Sequence, residues 1–582
     1  MSTFEIGTTD FLLDGRPLRI ISGALHYFRI HPAQWGDRIR TARQLGLNTI
    51  ETYVAWNFHS RRPGEFCLDG WRDLGRFLDL VDSHGMHAIV RPGPYICAEW
   101  TNAGLPPWLT AQPGIALRSS DPAYLAACAD FYRAVLPTIA SRQVTRGGNV
   151  LMVQVENEYG AFGDDPGYLR ALVELIRAQD IEVPLFTCDQ ADDEMLARGG
   201  LPELLRTATF GSRSRERLEI LRRHQPTGPL MCGEFWDGWF DSRGRHHHLT
   251  DVRRSARDLD ELLGAGASVN LYLAHGGTNF GFTNGANHKG TYAPIVTSYD
   301  YDAPIREDGS PGPKFDAFRQ VIGRHAPVPA EHPATVPPAP RFSVELRRPP
   351  APDGLPTGPD ASLDHLPTMD EIDPGAIVAL YETDIRADDE VLVLDGVRDH
   401  ATAFVNGRRI GELDRQRHRR ALPLPGVAGT LRLLVEDLGR VNYGPRLGEP
   451  KGLIGPASTA RRRLTDWRVS VVDVAAIPGR VDHASAAAAT GALAGPVVLS
   501  GRFDTEPGRD LFLDTSGWQR GVAWLNDFCL GRYDCAGPTR TLYVPGPLVR
   551  ATGNSLVVWE LDACPEPVAR FVAGPALGHT EE

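Results

Sequence analysis

Residues 150–160 read VLMVQVENEYG. The run LMVQV, bounded by Gly148 and Gly160, has the length and composition of a buried strand, and it ends in two glutamates, Glu156 and Glu158. On an extended strand residues i and i+2 share a face, so Gln154, Glu156 and Glu158 are expected to point one way while Val153, Val155 and Asn157 point the other. Carboxylates crowded on one face of a buried strand are costly unless they are paired or used. The competing reading of these residues alone is that the strand has already ended and both glutamates are solvated.

Working outward, similar short apolar runs recur between about residues 19 and 325. RIISGAL, NTIETYVAW and HAIVRPGPY precede this one, and PLFTCD, TATFG, PLMCGEF and SVNLYLA follow it. Amphipathic stretches such as WGDRIRTARQLG, WRDLGRFLDLVDSHG, YLRALVELIRAQD and VRRSARDLDELLGAG lie between them, each closed by glycine or a polar stop. Eight strands, each followed by a helix or a long loop, are the pattern of a (β/α)8 TIM barrel, expected over residues 1–325. The glycine-rich turn that a doubly wound sheet carries after its first strand is missing. Beyond Arg324 the composition changes. APVPAEHPATVPPAP opens a proline-rich linker expected over 326–375. Short β-type runs then predict two jelly-roll-like, galactose-binding-like β-sandwich domains, at 376–480 and 495–566, joined by ASAAAATGALAG as a second linker. FVNGRRIGEL at 404–413 resembles WLNDFCLGRY at 524–533, so the sandwiches are expected to be related, with Asn406 and Gly407 in a hairpin turn.

The formal charge of −12 over 582 residues excludes a nucleic-acid binder, since no basic stripe offsets it. Of the basic residues only Lys289, Lys314 and Lys451 are lysine. No run has the apolar length of a membrane span, and the N-terminal residues carry no basic region followed by an apolar one, so a cytoplasmic protein is expected. The eight cysteines show no CxxC spacing and are expected to be free thiols. His246, His247 and His248 are adjacent and would diverge on any regular element, which predicts a loop rather than a metal site.

In a barrel of this type the reacting groups come from the C-terminal ends of strands. Those ends carry Glu51 and Tyr53 on the second strand, Glu99 after the third, Glu156, Asn157 and Glu158 on the fourth, and Glu234 on the seventh, followed by FWDGWF. Strands four and seven face each other across the barrel mouth, so a carboxyl from each can address one bond from two sides, the arrangement of glycoside hydrolysis. Trp236, Trp239, Phe240 and Tyr53 offer faces for stacking on sugar C–H groups, and Asn157, Glu99 and Tyr301 can bond hydroxyls. Glu51 and Glu156 are expected to be inward-facing supports paired with Arg29 or Arg91.

HYFRIHPAQWGDRI, TYVAWNFHS, RPGPYICAEW, GLPPWL, RSSDPAYL, VQVENEYG, EFWDGWF, GGTNFGFTNGAN and SYDYDAP occur in order across the barrel, and GRVNYG, KGL and GWQRGVAWLN follow it. Together they resemble the β-galactosidases of glycoside hydrolase family 35. The resemblance implies a retaining exo-β-galactosidase, with Glu158 as general acid/base and Glu234 as nucleophile. It further implies that Tyr53, Glu99, Asn157 and Tyr301 bind the terminal galactose, with backbone groups of Ile96, Cys97 and Ala98. No metal or organic cofactor is implied. Trp236, Trp239 and Tyr443 of GRVNYG are expected to form an aromatic subsite for the leaving sugar that favours β-1,3 linkages. The partners expected are a galactose-terminated oligosaccharide and a second copy of the chain, with no nucleic acid and no membrane. Alternatives are another exo-β-glycosidase, such as an exo-β-glucosaminidase, and a catalytically silent carbohydrate-binding protein. The chain departs from the family pattern at Arg243 and Asp534, where tryptophan is common, which is expected to alter the aglycone side or a subunit contact. The GGTNFG turn is read as a sugar rim rather than a phosphate loop.

Overall fold

Eight parallel strands close a barrel in chain order: Ile21–Leu25, Thr49–Tyr53, His87–Arg91, Val150–Gln154, Leu185–Gln190, Leu205–Phe210, Met231–Trp236 and Ser268–His275. The last pairs with the first through Val269 and Ile21. The first, second, fourth and eighth are buried along their whole length, which is why they read as continuous apolar runs rather than alternating ones. A computed structural model supplies these coordinates and describes residues 2–350 and 355–580.

A helix follows every strand, and the local chemistry accounts for the starts and stops. Asp73, Asp121, Asp165, Asp192 and Asp251 each accept from a backbone N–H in the first turn of the helix they precede. The helix Trp35–Leu45 stops at Gly46, whose φ of 109° suits a residue without a side chain.

The two sandwiches depart from the expected boundaries. The segment 326–375 is not a spacer throughout. Phe342–Glu345 pairs with Val568–Val572, and Arg347–Arg348 pairs with Val497–Phe503, so both belong to the second sandwich. Thr357–Leu363 pairs with Trp467–Val472 in the first. Residues 351–354 of the expected linker lie outside those described. The proline content of 326–340 masked a short alternation after it, in which Val344 and Leu346 are buried and Ser343 and Glu345 exposed. The partner strand is more than 220 residues away and extends past residue 566, so nothing local announced the pairing. Within the second expected linker, Ala487–Ala488 and Leu493–Ala494 are likewise short strands.

The sandwiches do share a hairpin. Asn406 and Gly407 (φ 50° and 77°) and Asn526 and Asp527 (φ 51° and 68°) form equivalent turns, each followed by a register shift.

Paired strands and buried ion pairs join the domains. Gly285–His288 and Tyr292–Pro294, from the loop after barrel strand eight, form a small sheet with Arg440–Val441 of the first sandwich. Beside it Lys451, fully buried, pairs with Asp399 and lies 2.9 Å from Asp437, while Tyr292 donates to Asp399 at 2.8 Å. The two departures from the family pattern meet each other: Arg243 of the barrel and Asp534 of the second sandwich pair at 2.5 Å, with Asp414 of the first at 3.6 Å. Both sit in an interdomain seam, each the other's counter-ion.

All eight cysteines are free thiols, five of them buried. Among the described residues no helix is long and apolar enough to cross a membrane.

Candidate active site

The fourth strand ends at Gln154, and the backbone then turns sharply: Glu156 and Glu158 both have positive φ, 60° and 47°. The two glutamates therefore do not share a strand face, contrary to the expectation from alternation. Nor are they solvated, at 1% and 7% exposure. Hydrogen bonds from Glu156 N to Gly93 O (3.2 Å) and from Glu158 N to Cys188 O (3.0 Å) tie this turn to strands three and five. Strain of this kind gathers at the mouth of the barrel. Cys97, Ala98, Glu99, Glu156, Glu158, Tyr301 and Asp302 all have positive φ, and a non-glycine residue there costs on the order of 1–3 kcal/mol unless its surroundings hold it.

Glu156 is held by Arg118, not by Arg29 or Arg91. The guanidinium makes two parallel 2.8 Å bonds to its carboxylate and a third, of 2.7 Å, to Asn157 O. Tyr168 and the Asn157 N–H also donate to Glu156. Every acceptor site on Glu156 faces protein, so it braces the turn that presents its neighbours. Arg29 instead binds Asn279 and Ala98 O and lies 3.8 Å from the Tyr299 ring centre. Asn279 of GGTNFG is thus turned inward as a brace rather than lining a rim. Arg91 takes Glu51, at 3.8 Å.

The same Arg91 also reaches the chemistry. It donates to Glu234 at 2.7 Å and to Asn157 Oδ1 at 2.5 Å, and stacks on Tyr53 at 4.2 Å. Glu234 accepts from Tyr53 OH at 2.5 Å and from Trp236 Nε1 at 3.1 Å as well. A carboxylate with three donors on its two oxygens has its orientation fixed. Asn157 Oδ1 also accepts from Gln154 at 3.0 Å, which leaves the amide nitrogen as the end free to donate.

Glu158 sits in the opposite environment. Its one side-chain donor is the amide of Gln190, at 3.3 Å. Burial first, and the charge of Glu234 second, push its carboxyl up to about 8. Two carboxyls whose surroundings differ in this sense divide the roles of base and acid between them.

Around this pair lie the remaining expected residues. Glu99 accepts from Tyr299 OH, and burial pushes its carboxyl up. Tyr301 packs edge-on against Tyr272, which packs against Tyr53. In the loop between them Ile96 N–H donates to Ala103 O, Cys97 O accepts from Trp100 N–H, and Ala98 O accepts from Arg29. Trp239 packs edge-on against Trp236 and donates its N–H to Tyr301 O at 3.2 Å. Tyr443 reaches the mouth from the first sandwich. Its hydroxyl accepts from Gln190 at 3.3 Å, and the preceding Asn442 accepts from Tyr95 OH at 2.9 Å through its backbone oxygen.

Arg118, Gln190 and Tyr299 escaped the reading of the sequence. Gln190 ends strand five and was open to the same strand-end rule, and Tyr299 stands two before Tyr301 in SYDYDAP. Arg118 opens the RSSDPAYL motif, but nothing local marked it as the partner of Glu156. Among the described residues no cluster of three or more His, Cys, Asp or Glu is arranged to hold a metal ion, and His247 of the histidine run pairs with Asp241 at 2.7 Å.

The model of the glycosyl hydrolases of family 35 matches residues 10–325. The chain belongs to glycoside hydrolase family 35. It is a glycoside hydrolase. Two further models match in order, "Beta-galactosidase, first all-beta domain" over 367–473 and "Beta-galactosidase, galactose-binding domain" over 496–554. The chain is 39% identical to a beta-galactosidase of Mus musculus, across 95% of this chain and 91% of that one. It is 37% identical to a beta-galactosidase of Xanthomonas manihotis, across 94% and 92%. With a beta-galactosidase of Homo sapiens it shares 39% identity, across 99% and 91%.

Proposed function

We propose that this family 35 enzyme is a retaining exo-β-galactosidase that removes terminal, non-reducing β-D-galactosyl residues from oligosaccharides and prefers β-1,3 linkages. The observation that carries the reading is the contrast between Glu234, with three donors, and Glu158, with one, at the ends of opposite strands. Galactose as the sugar rests on the relatives' names. In the first step Glu234 attacks the anomeric carbon as the bond to the leaving oxygen breaks, and that oxygen takes the Glu158 proton. The Glu234 charge is consumed in the ester, so one cause of the raised Glu158 pKa disappears. Glu158, now ionised, takes a proton from water, which attacks the ester and frees the sugar with its configuration retained. Asn157, with its nitrogen free to donate, holds the sugar 2-hydroxyl. The test is turnover of a chromogenic β-galactoside by the purified protein, followed by a panel of β-1,3, β-1,4 and β-1,6 disaccharides. Faster turnover of a β-glucosaminide would replace galactose in this reading.

The acid requirement gives a pH dependence of known sign. Glu158 works in the first step as the protonated form, present below about 8 and lost above it. For substrates with poor leaving groups, kcat/KM is expected to fall about tenfold per pH unit on the alkaline side of pH 8. A profile level to pH 9.5 would contradict the assignment.

The linkage preference rests on Trp236, Trp239 and Tyr443. Tyr443 is half-buried against Tyr95, Cys97 and Ala103 and held by Gln190. Stacking of one sugar ring on an aromatic side chain contributes on the order of 1 kcal/mol, roughly fivefold in kcat/KM. Tyr443→Ala is therefore expected to lower kcat/KM for a β-1,3 disaccharide about fivefold relative to an aryl galactoside. An equal fall on both substrates together with the melting temperature would make it a packing residue only. A reducing, cytoplasmic compartment and a homodimer are part of the same proposal. Eight free thiols support the first, and sedimentation of the purified protein tests the second.

A further inference from the structure

A groove of about 850 Å³ opens beside the catalytic pair and extends well beyond it. Its inner end is made by Gln190 and Trp236, the residues that donate to Glu158 and Glu234 respectively. From there it runs over the ends of barrel strands five, six and seven, bounded by Met195, Arg217, Leu249 and Arg254. The residues expected to bind the terminal sugar, Tyr53, Glu99, Asn157 and Tyr301, come instead from the ends of strands two, three and four and the segment after strand eight. Since the acid must stand next to the oxygen that leaves, a groove that begins at the acid's own partner, on the side away from the terminal sugar, lies on the leaving-group side.

We infer that this groove holds the continuation of a neutral oligosaccharide beyond the first leaving sugar, so that the preferred substrates are longer than disaccharides. The inference rests on the proposed glycosidase reading and adds a substrate class to it. The volume falls in the roughly 300–1,000 Å³ range of pockets that hold extended ligands, and the lining mixes flat apolar faces with hydroxyls: Trp236, Trp239 and Phe210 with Thr209, Ser212 and Thr250. Its charges other than those of Arg254 and His248 are engaged by protein. Asp192, Asp251 and Asp258 accept from backbone N–H groups, and Arg217 donates to Ala191 O at 2.6 Å. That leaves little for an ionic substituent to bind. The floor depends on two glycines. A Cβ on Gly211 would lie 2.2 Å from Trp236 O, and one on Gly238 would lie 1.7 Å from Tyr301 O. Leu249 stands on the rim at 52% exposure, beside Trp239 and Arg254.

The experiment compares kcat/KM for a di-, tri- and tetrasaccharide that share one terminal galactosyl linkage and are extended at the reducing end by neutral sugars, with an aryl galactoside as reference. The trisaccharide is expected to exceed the disaccharide about fivefold. Leu249→Asp is expected to erase most of that gain, read as the ratio of trisaccharide to aryl galactoside, and Arg254→Ala serves as a second rim variant should the first fold poorly. Values that do not change with chain length would overturn the groove assignment while leaving the galactosidase reading intact. A gain confined to chains carrying sulfate or carboxylate would overturn the neutral class. Absence of turnover on the aryl galactoside itself would instead sink the underlying reading.

Discussion

Glu234→Gln is expected to reduce kcat by on the order of 10⁴-fold or more, as removal of the central member of a catalytic set does, with the fold intact. Gln keeps the volume and one oxygen acceptor for Tyr53 and Arg91, and Arg91 retains Glu51 and Asn157 as partners. What is lost is the charge that attacks carbon. An activated 2-fluoro galactosyl inactivator should label the unaltered protein on the peptide containing Glu234 and leave the variant unlabelled, read by mass spectrometry. A label on Glu99 or Glu156 would move the nucleophile elsewhere. Glu156 is turned into the protein, its two oxygens held by the parallel bonds from Arg118, and braces the turn instead.

Glu158→Ala is expected to divide substrates by leaving group. Loss of general acid catalysis costs about 10²- to 10⁴-fold where the leaving oxygen needs a proton, and far less for an activated aryl galactoside that departs without one. With such a substrate the second step becomes limiting, because no base remains to activate water. Added azide, which needs no base, should then restore turnover and yield β-galactosyl azide. Equal losses on both substrate types, with no response to azide, would remove Glu158 from the role. The two variants also test the electrostatic coupling between the carboxyls. In Glu234→Gln the charge that raises Glu158 is gone, so the Glu158 carboxyl should titrate lower than in the unaltered protein, measurable by infrared difference spectroscopy of the buried carboxylic acid.

The barrel was legible in the sequence, because it depends on a rule of short range. A strand buried on both faces must be a continuous apolar run, and all eight runs are strands. Strand ends collect the candidates, which brought Glu51, Glu99, Glu156, Glu158 and Glu234 forward together, and the family resemblance chose Glu158 and Glu234 among them. Partnership across the chain was decided only by the tertiary structure. Alternation predicted a shared face for Glu156 and Glu158, but the strand stops at Gln154, and bonds to Gly93 and Cys188 hold a turn that no strand pattern encodes. Arg118 as the brace, Phe342–Glu345 as a strand of the distant second sandwich, and the pairing of Arg243 with Asp534 all join residues far apart in the chain. A local pattern reports that a side chain must be buried or a charge must be matched. Which group does so depends on where the rest of the chain comes to lie.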